Sequence, residues 1–300
     1  MTICDVHCHF FSSRFLELLT KDRSALPVQD RAEAAARLLG WDPPGTAEAL
    51  ADRWVAELAR HGISRCALIA SIPGDEESVA SAVAAYPRAF VGFFMFNPVA
   101  PDAGARLQRA LGAQGLRGIA LFPAMHRYRL DDAVVEKVFE AADTHGAAVF
   151  VHCGVLSVGV RKKLGLPSPF DLRLGDPLAV AAVAQRYPRV PVIIPHFGAG
   201  MFREALMAVE QSANVHLDTS SSNAWMKYYP GLTLDAVFRQ ALSVAGSERL
   251  LFGTDSSFFP RGWQHAIYEA QTRALDAAGA SEQDRARILG GNFERVFPNV

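Results

Sequence analysis

Short apolar runs rich in β-branched and aromatic residues recur along the chain, each followed by a longer stretch in which apolar positions return every three or four residues. The short runs predict strands over residues 3–9, 65–71, 90–96, 118–122, 148–153, 190–196, 215–219 and 250–255. Several, such as Phe90-Val91-Gly92-Phe93-Phe94-Met95-Phe96, are apolar at nearly every position, as strands covered on both faces are. The stretches between them predict helices over 47–61, 75–86, 102–111, 131–145, 176–187, 201–212, 234–245 and 263–278. In the first, Leu50, Trp54 and Leu58 form one stripe. A last helix starts near residue 282 and is expected to break at Gly290-Gly291. Asp75, Asp131 and Asp176 stand where N-caps are expected, and Gly62 and Gly146 follow apparent helix ends as C-terminal caps do.

Eight strands alternating with eight helices argue for βα units around a parallel sheet, and for an α/β protein with a (β/α)8 TIM barrel. A doubly wound open sheet is the alternative. It calls for a glycine-rich phosphate turn after the first strand, where this chain has His9-Phe10-Phe11-Ser12-Ser13. No internal repeat or linker divides the sequence, so residues 1–300 read as a single domain. Three connections are long: 10–46, 154–175 and 220–232. All three follow strands, on the face where this fold builds its sites.

Half the residues are apolar and the formal net charge is −1. That leaves no global basic field for nucleic acid or an anionic membrane surface. No apolar run reaches the ~18 residues of a membrane span, and no leader pattern precedes the first strand, so a cytoplasmic protein is expected. A homo-oligomer is compatible with such a barrel, but no stretch marks an interface. Cys4, Cys8, Cys66 and Cys153 form no CxxC pair and read as reduced packing residues. Strand alternation places Cys4 and Cys8 opposite His7 and His9.

Candidate chemistry gathers at the strand ends. The first strand ends in His7 and His9, two histidines two apart and so on one side. The fifth ends in His152, the sixth in His196 and the eighth in Asp255. A lone histidine closing an apolar run is an ordinary core residue. Five such polar residues at one end of different barrel strands are hard to explain by packing, and imidazoles with a carboxylate suit zinc, manganese or iron. Of the other histidines, His61 and His145 read as helix C-terminal caps, His216 starts a strand at the wrong end and His265 lies in a helix; His126, after the fourth strand, is on the correct face to touch substrate.

The pattern resembles the amidohydrolase superfamily, and more closely the amidohydrolase-related branch that also contains aminocarboxymuconate-semialdehyde decarboxylase. The resemblance spans the chain through Asp5-Val6-His7-Cys8-His9, Val151-His152-Cys153-Gly154, Pro195-His196-Phe197-Gly198, Phe252-Gly253-Thr254-Asp255-Ser256 and Gly291-Asn292-Phe293-Glu294-Arg295-Val296-Phe297. It implies that His7, His9, His152 and Asp255 bind one divalent metal, with Zn2+ the first choice and Mn2+ the second. It also implies that His196 and Asp255 are catalytic, His196 as a proton shuttle. Two-metal members carry a lysine in the fourth strand where this chain has Ala120, which favours one metal. A metal-activated water in such a site hydrolyses a cyclic amide, lactone or ester. The alternative is non-oxidative decarboxylation of an aromatic or unsaturated acid, and a third reading is a non-catalytic metal-binding barrel.

A small-molecule substrate, anionic in kind, suits the basic residues near the proposed mouth. Arg261 follows Asp255 by six positions, and Arg161, Lys162, Lys163 and Arg173 lie in the long loop after the fifth strand. Arginine holds a carboxylate with two parallel hydrogen bonds. Phe10, Phe11, Trp225, Tyr228, Tyr229, Phe258, Phe259 and Trp263 are candidate pocket walls, with Trp225 taken as a substrate contact. Ser220, Ser221, Ser222 and Asn223 offer polar groups after the seventh strand.

Overall fold

The computed structural model describes residues 1–220 and 223–298. Among them, eight strands form one sheet in sequential order: β1 (Cys4–Phe10), β2 (Arg65–Ala70), β3 (Phe90–Phe96), β4 (Gly118–Leu121), β5 (Ala148–Val151), β6 (Val192–Ile194), β7 (Val215–Asp218) and β8 (Leu250–Leu251). Every neighbouring pair is parallel. The seam back to β1 is joined by Val6 N to Phe252 O at 2.9 Å, Asp255 N to His7 O at 2.9 Å and His9 N to Ser256 O at 2.7 Å. The result is a nearly closed barrel flanked by helices, as expected for a (β/α)8 TIM barrel.

β5, β6 and β8 stop short of their expected ends. His152, His196 and Asp255 therefore lie just beyond the ladder, where the chain turns into the barrel mouth. Register in β1 shifts between Asp5 and Cys8. This bulge breaks the alternation assumed from sequence. Cys8 packs between sheet and helices, opposite the histidines as expected, but Cys4 packs inside the barrel with Val6 and Phe293. All four cysteines are free and buried.

The barrel helices run over Ala47–Arg60, Glu76–Ala85, Ala103–Gln108, Ala133–His145, Pro177–Ala184, Phe202–Gln211, Leu234–Ala245 and His265–Ala277. Asp176 caps its helix through Leu178 N, whereas Asp132 rather than Asp131 holds the N-cap of Ala133–His145. The last helix does not break at Gly290-Gly291. A π turn over Arg287–Gly291 carries Glu282–Ala286 into Asn292–Val296. A Cβ on Gly290 would meet Thr2 O at 2.3 Å, so glycine there serves close approach rather than termination. Asn292 then donates to Ser247 O at 2.7 Å and Leu250 O at 2.8 Å, fixing the start of β8.

One apolar cluster lies between sheet and helices, and Trp54, Phe94, Phe139 and Phe238 are fully buried in it. A second fills the barrel, from Ile69, Phe93 and Phe150 down to a plug of Phe293 and Phe297. Each such side chain contributes about 1.5–3 kcal/mol by burial. A third cluster builds a lobe over the mouth. Phe15, Leu16, Ala35, Ala36 and Leu39 come from helices Ser13–Leu19 and Arg31–Leu39, and Val160 and Leu164 from the region of helix Gly159–Lys163. Two of the long connections thus form the lobe. No helix among the described residues is long and apolar enough to cross a membrane.

Candidate metal centre

His7, His9 and Asp255 converge at the barrel mouth. His7 Nε2 lies 3.3 Å from His9 Nε2 and 3.6 Å from Asp255 Oδ1, and His9 Nε2 lies 2.9 Å from the same oxygen. Among the described residues, these three form a group able to hold a metal ion. Tetrahedral coordination with bonds near 2.0–2.1 Å puts ligand atoms roughly 3.3 Å apart, close to these spacings.

Hydrogen bonding sets the histidine tautomers. His7 Nδ1 faces Asp218 Oδ2 at 2.6 Å, and a carboxylate accepts, so Nδ1 carries the proton and Nε2 keeps its lone pair. His9 Nδ1 lies 2.7 Å from Ser71 Oγ, whose own hydrogen goes to Ile69 O at 2.8 Å. Ser71 therefore accepts from His9, and the His9 Nε2 lone pair is also free. Both lone pairs meet at the Asp255 carboxylate.

His152 sits farther back. It follows β5, its ring stacks on Phe122 with centroids 5.3 Å apart, and it lies 5.4 Å from the His196 ring. It is not in the tight group of three, yet its buried Nδ1 has no hydrogen-bond partner among the described residues. A buried polar atom without a partner is uncommon in a packing residue, and it leaves the His152 imidazole, next to that of His196, a candidate fourth ligand. His196 lies 5.0 Å, ring to ring, from His7. His196 and Asp255 both hold left-handed backbone, φ 55° and 60°, a conformation costly for residues with a Cβ and common where side chains are aimed for function.

Electrostatics separates the histidines. Burial lowers the pKa of His9, and Asp255 only partly offsets it. Burial and neighbouring imidazoles push His152 well down, and burial with His7 lowers His196. Burial also opposes charge on His7, but the Asp218 carboxylate outweighs it and raises the pKa. Burial works against the Asp255 carboxylate, yet the His9 and His7 imidazoles, whenever they carry a proton on Nε2, hold it below the usual carboxylate range.

These groups open into a cavity of about 600 Å³. One wall is a run of near-parallel rings: Phe11 on Phe15 at 4.3 Å, Phe11 on Trp41 at 5.3 Å and Trp41 on Phe258 at 4.5 Å. Arg261 also lines the cavity, with its guanidinium 4.5 Å from the Phe258 ring and bonded to Ser257 Oγ at 2.6 Å and Asp255 O at 3.3 Å. Arg161 and Lys163 line it too; Arg161 is tied to Pro167 O at 3.2 Å. His126 lines it from helix Pro123–His126, and burial lowers its pKa to about 4, so it is neutral near pH 7.

Other expected contacts lie elsewhere. Trp225 packs on Phe202 and Tyr229, with Nε1 bonded to Asn223 at 3.2 Å, away from the cavity lining. Arg173 pairs with Asp171 and lines a different cleft. Phe10 lies in the outer core, Phe259 packs on Trp54 and Trp263 is buried beside Asp5. Ser221 and Ser222 lie outside the described residues.

Several residues were missed. Asp218 ends β7 after Val215-His216-Leu217, the same sign of a polar residue closing an apolar strand that marked the others. Asp5 is fully buried and accepts from His7 N at 2.9 Å, Thr254 N at 3.1 Å, Thr254 Oγ1 and Trp263 Nε1 at 2.7 Å, tying the ends of β1 and β8 together. Even so, burial raises its pKa to about 6. A Cβ on Gly253 would meet Asp218 Oδ1 at 2.6 Å, so the absent side chain makes room for that carboxylate.

A family model described as amidohydrolase matches residues 4–298. Among solved structures, an amidohydrolase from Burkholderia multivorans with bound zinc is similar over 100% of both chains, at 16% identity and a TM-score of 0.66. A 5-carboxyvanillate decarboxylase from Novosphingobium aromaticivorans, with manganese and 3-methoxy-4-hydroxy-5-nitrobenzoic acid bound, is similar over 99% of this chain and 97% of its own, at 15% identity and a TM-score of 0.62. A probable 2-pyrone-4,6-dicarboxylic acid hydrolase from Acinetobacter baumannii, with citric acid bound, is similar over 99% of both chains, at 16% identity and a TM-score of 0.60.

Proposed function

The chain belongs to the amidohydrolase family, and from that premise we propose that it is a metal-dependent hydrolase of a small carbonyl compound bearing a carboxylate, such as a cyclic amide, lactone or ester. The observation that carries this reading is the convergence of two unprotonated Nε2 atoms and one carboxylate within 3.6 Å at the mouth of a cavity that also presents Arg261. His7, His9 and Asp255 would hold one divalent ion, zinc or manganese, with His152 completing the set. Such an ion, when bound, supplies Lewis acidity and brings the ionisation of water toward neutrality.

The remaining work falls to side chains. Arg261 is pinned by Ser257, so its guanidinium is pre-oriented to receive the substrate carboxylate. His196, with its pKa lowered by burial, is neutral near pH 7 and able to take a proton during attack and return it to the leaving group. Asp255 is the second group able to accept a proton. The aromatic wall and the lobe above it limit water access to the bound substrate.

A second reading, non-oxidative decarboxylation of an aromatic acid, draws support from the same wall. Adjacent planes in the stack of Phe11, Trp41 and Phe258 differ by only 10° and 11° and suit a flat ring. Here His196 or Asp255 would first take up a proton from solvent and then deliver it to the ring carbon that bears the carboxylate, as CO2 leaves with that carbon's carboxyl group. Incubating the Zn2+- or Mn2+-loaded protein with panels of carboxylate-bearing lactones and aromatic acids separates the two. Ring opening with net addition of water supports hydrolysis; release of CO2 without it replaces that reading with the second.

A further inference from the structure

Ser220 is fully buried, directly behind the candidate centre. Its Oγ lies 2.9 Å from Asp218 Oδ2, 2.9 Å from His196 Nδ1 and 3.0 Å from His7 Nδ1. A hydroxyl has one hydrogen to give. The Asp218 carboxylate accepts only, and it already takes His7 Nδ1 and the Ser220 backbone N–H at 2.6 Å each. If Ser220 donates to Asp218, its oxygen must accept from His196 Nδ1. The backbone adds a second reason: Ser220 O, an acceptor only, lies 3.3 Å from the same Nδ1. Two acceptors facing Nδ1 place the His196 proton there. Nε2 is then the nitrogen left to the cavity that His196 lines.

We propose that Ser220 is a positioning residue for His196. Its hydroxyl links His196 Nδ1 to Asp218 and so holds the unprotonated Nε2 of His196 toward the substrate. One buried carboxylate thereby orients both a candidate metal ligand, His7, directly, and the proton-handling histidine through a serine. Gly253 supports this economy of space, since a Cβ there would come within 3.1 Å of both His7 Cβ and Ser220 Cβ. The assignment of a proton-handling role to His196 rests on the proposed function; the assignment of its tautomer does not.

The test is nitrogen-15 NMR of histidine-labelled, Zn2+-loaded protein, with His196 assigned by its absence from His196→Gln. In the native protein the expected signal is a single neutral species protonated at Nδ1. In Ser220→Ala the expected result is a mixture of both tautomers with bound Zn2+ retained. An Nε2-protonated His196 in the native protein overturns the proposal without any variant, and so does a Ser220→Ala spectrum unchanged from native. Absence of turnover on every lactone and acid tried would sink the functional reading alone and leave the tautomer result standing.

Discussion

His7 Nδ1 and Asp218 Oδ2 lie 2.6 Å apart, both side chains buried, and this contact decides which nitrogen of His7 faces the cavity. Asp218 is fully buried, does not line the cavity and stands on a different strand from either histidine of the HxH pair. Replacing it by asparagine keeps the shape but removes an acceptor-only group, so the amide can present a donor to Nδ1 and favour the other tautomer. Asp218→Asn is expected to lose about 10- to 100-fold in Zn2+ affinity. Titration of the metal-free variant measures this, and native affinity would show that the contact is structural only.

Arg261 lines the cavity and is held by the Asp255 carbonyl itself. Arg261→Ala is expected to raise KM for a carboxylate substrate by about 10- to 100-fold, the worth of a charged hydrogen-bonded pair at roughly 1.5–3 kcal/mol. kcat should move less. A reduced kcat at constant KM would place Arg261 in the chemical step instead of in recognition.

Metal affinity should depend on pH through His7. Its pKa is raised from 6.5 by Asp218, although burial opposes this. Ligation needs Nε2 without a proton, so affinity falls as pH drops through that raised value. The metal-free protein follows the opposite sign. The His7–Asp218 pair contributes its full stability below the unfolded value near 6.5, and this is lost as pH rises through the folded one. Calorimetric Zn2+ titrations and thermal unfolding of the metal-free protein over that range check both signs; pH-independent affinity contradicts the assignment.

Much of this was legible in the sequence because barrel strands end where chemistry begins. A polar residue closing an apolar run has few structural reasons to be there, and His7, His9, His152, His196 and Asp255 all carry that sign. Asp218 carries it too, but the sequence pattern extends β7 to Thr219 and hides the strand end. Trp225 shows the opposite error. Position in the chain put it in a mouth loop, while direction is set by its packing partners Phe202 and Tyr229. The bulge in β1 could not be read from alternation, so Cys4 was assigned to the wrong face. The wall of Phe11, Phe15, Trp41 and Phe258 joins two distant segments, and only tertiary packing brings them together.

Asp75 gives a prediction away from the centre. It anchors the lobe: Ser12 Oγ lies 2.8 Å from both its oxygens and shares its one hydrogen with them, and Ser78 Oγ donates at 2.6 Å. Burial raises its pKa from 3.8 to about 7 despite these bonds. Between those values the folded state holds a proton that the unfolded state has released. Stability from this group is full below the unfolded value and falls as pH rises through the window, by at most about 1.4 kcal/mol per pH unit. Asp75→Asn does not titrate, so its Tm relative to native protein should climb as pH rises across the window. A difference that stays flat or falls would contradict this account of Asp75.

Metal analysis of the purified native protein, alongside His7→Ala, Asp255→Asn and His196→Ala, decides whether the barrel mouth is a metal centre. One equivalent of a divalent transition metal is expected in the native protein, lost in His7→Ala and Asp255→Asn with the circular dichroism of the barrel intact. His196→Ala is expected to keep the metal and lose turnover. Native protein that holds no metal and takes up neither Zn2+ nor Mn2+ when they are added would contradict the metal centre.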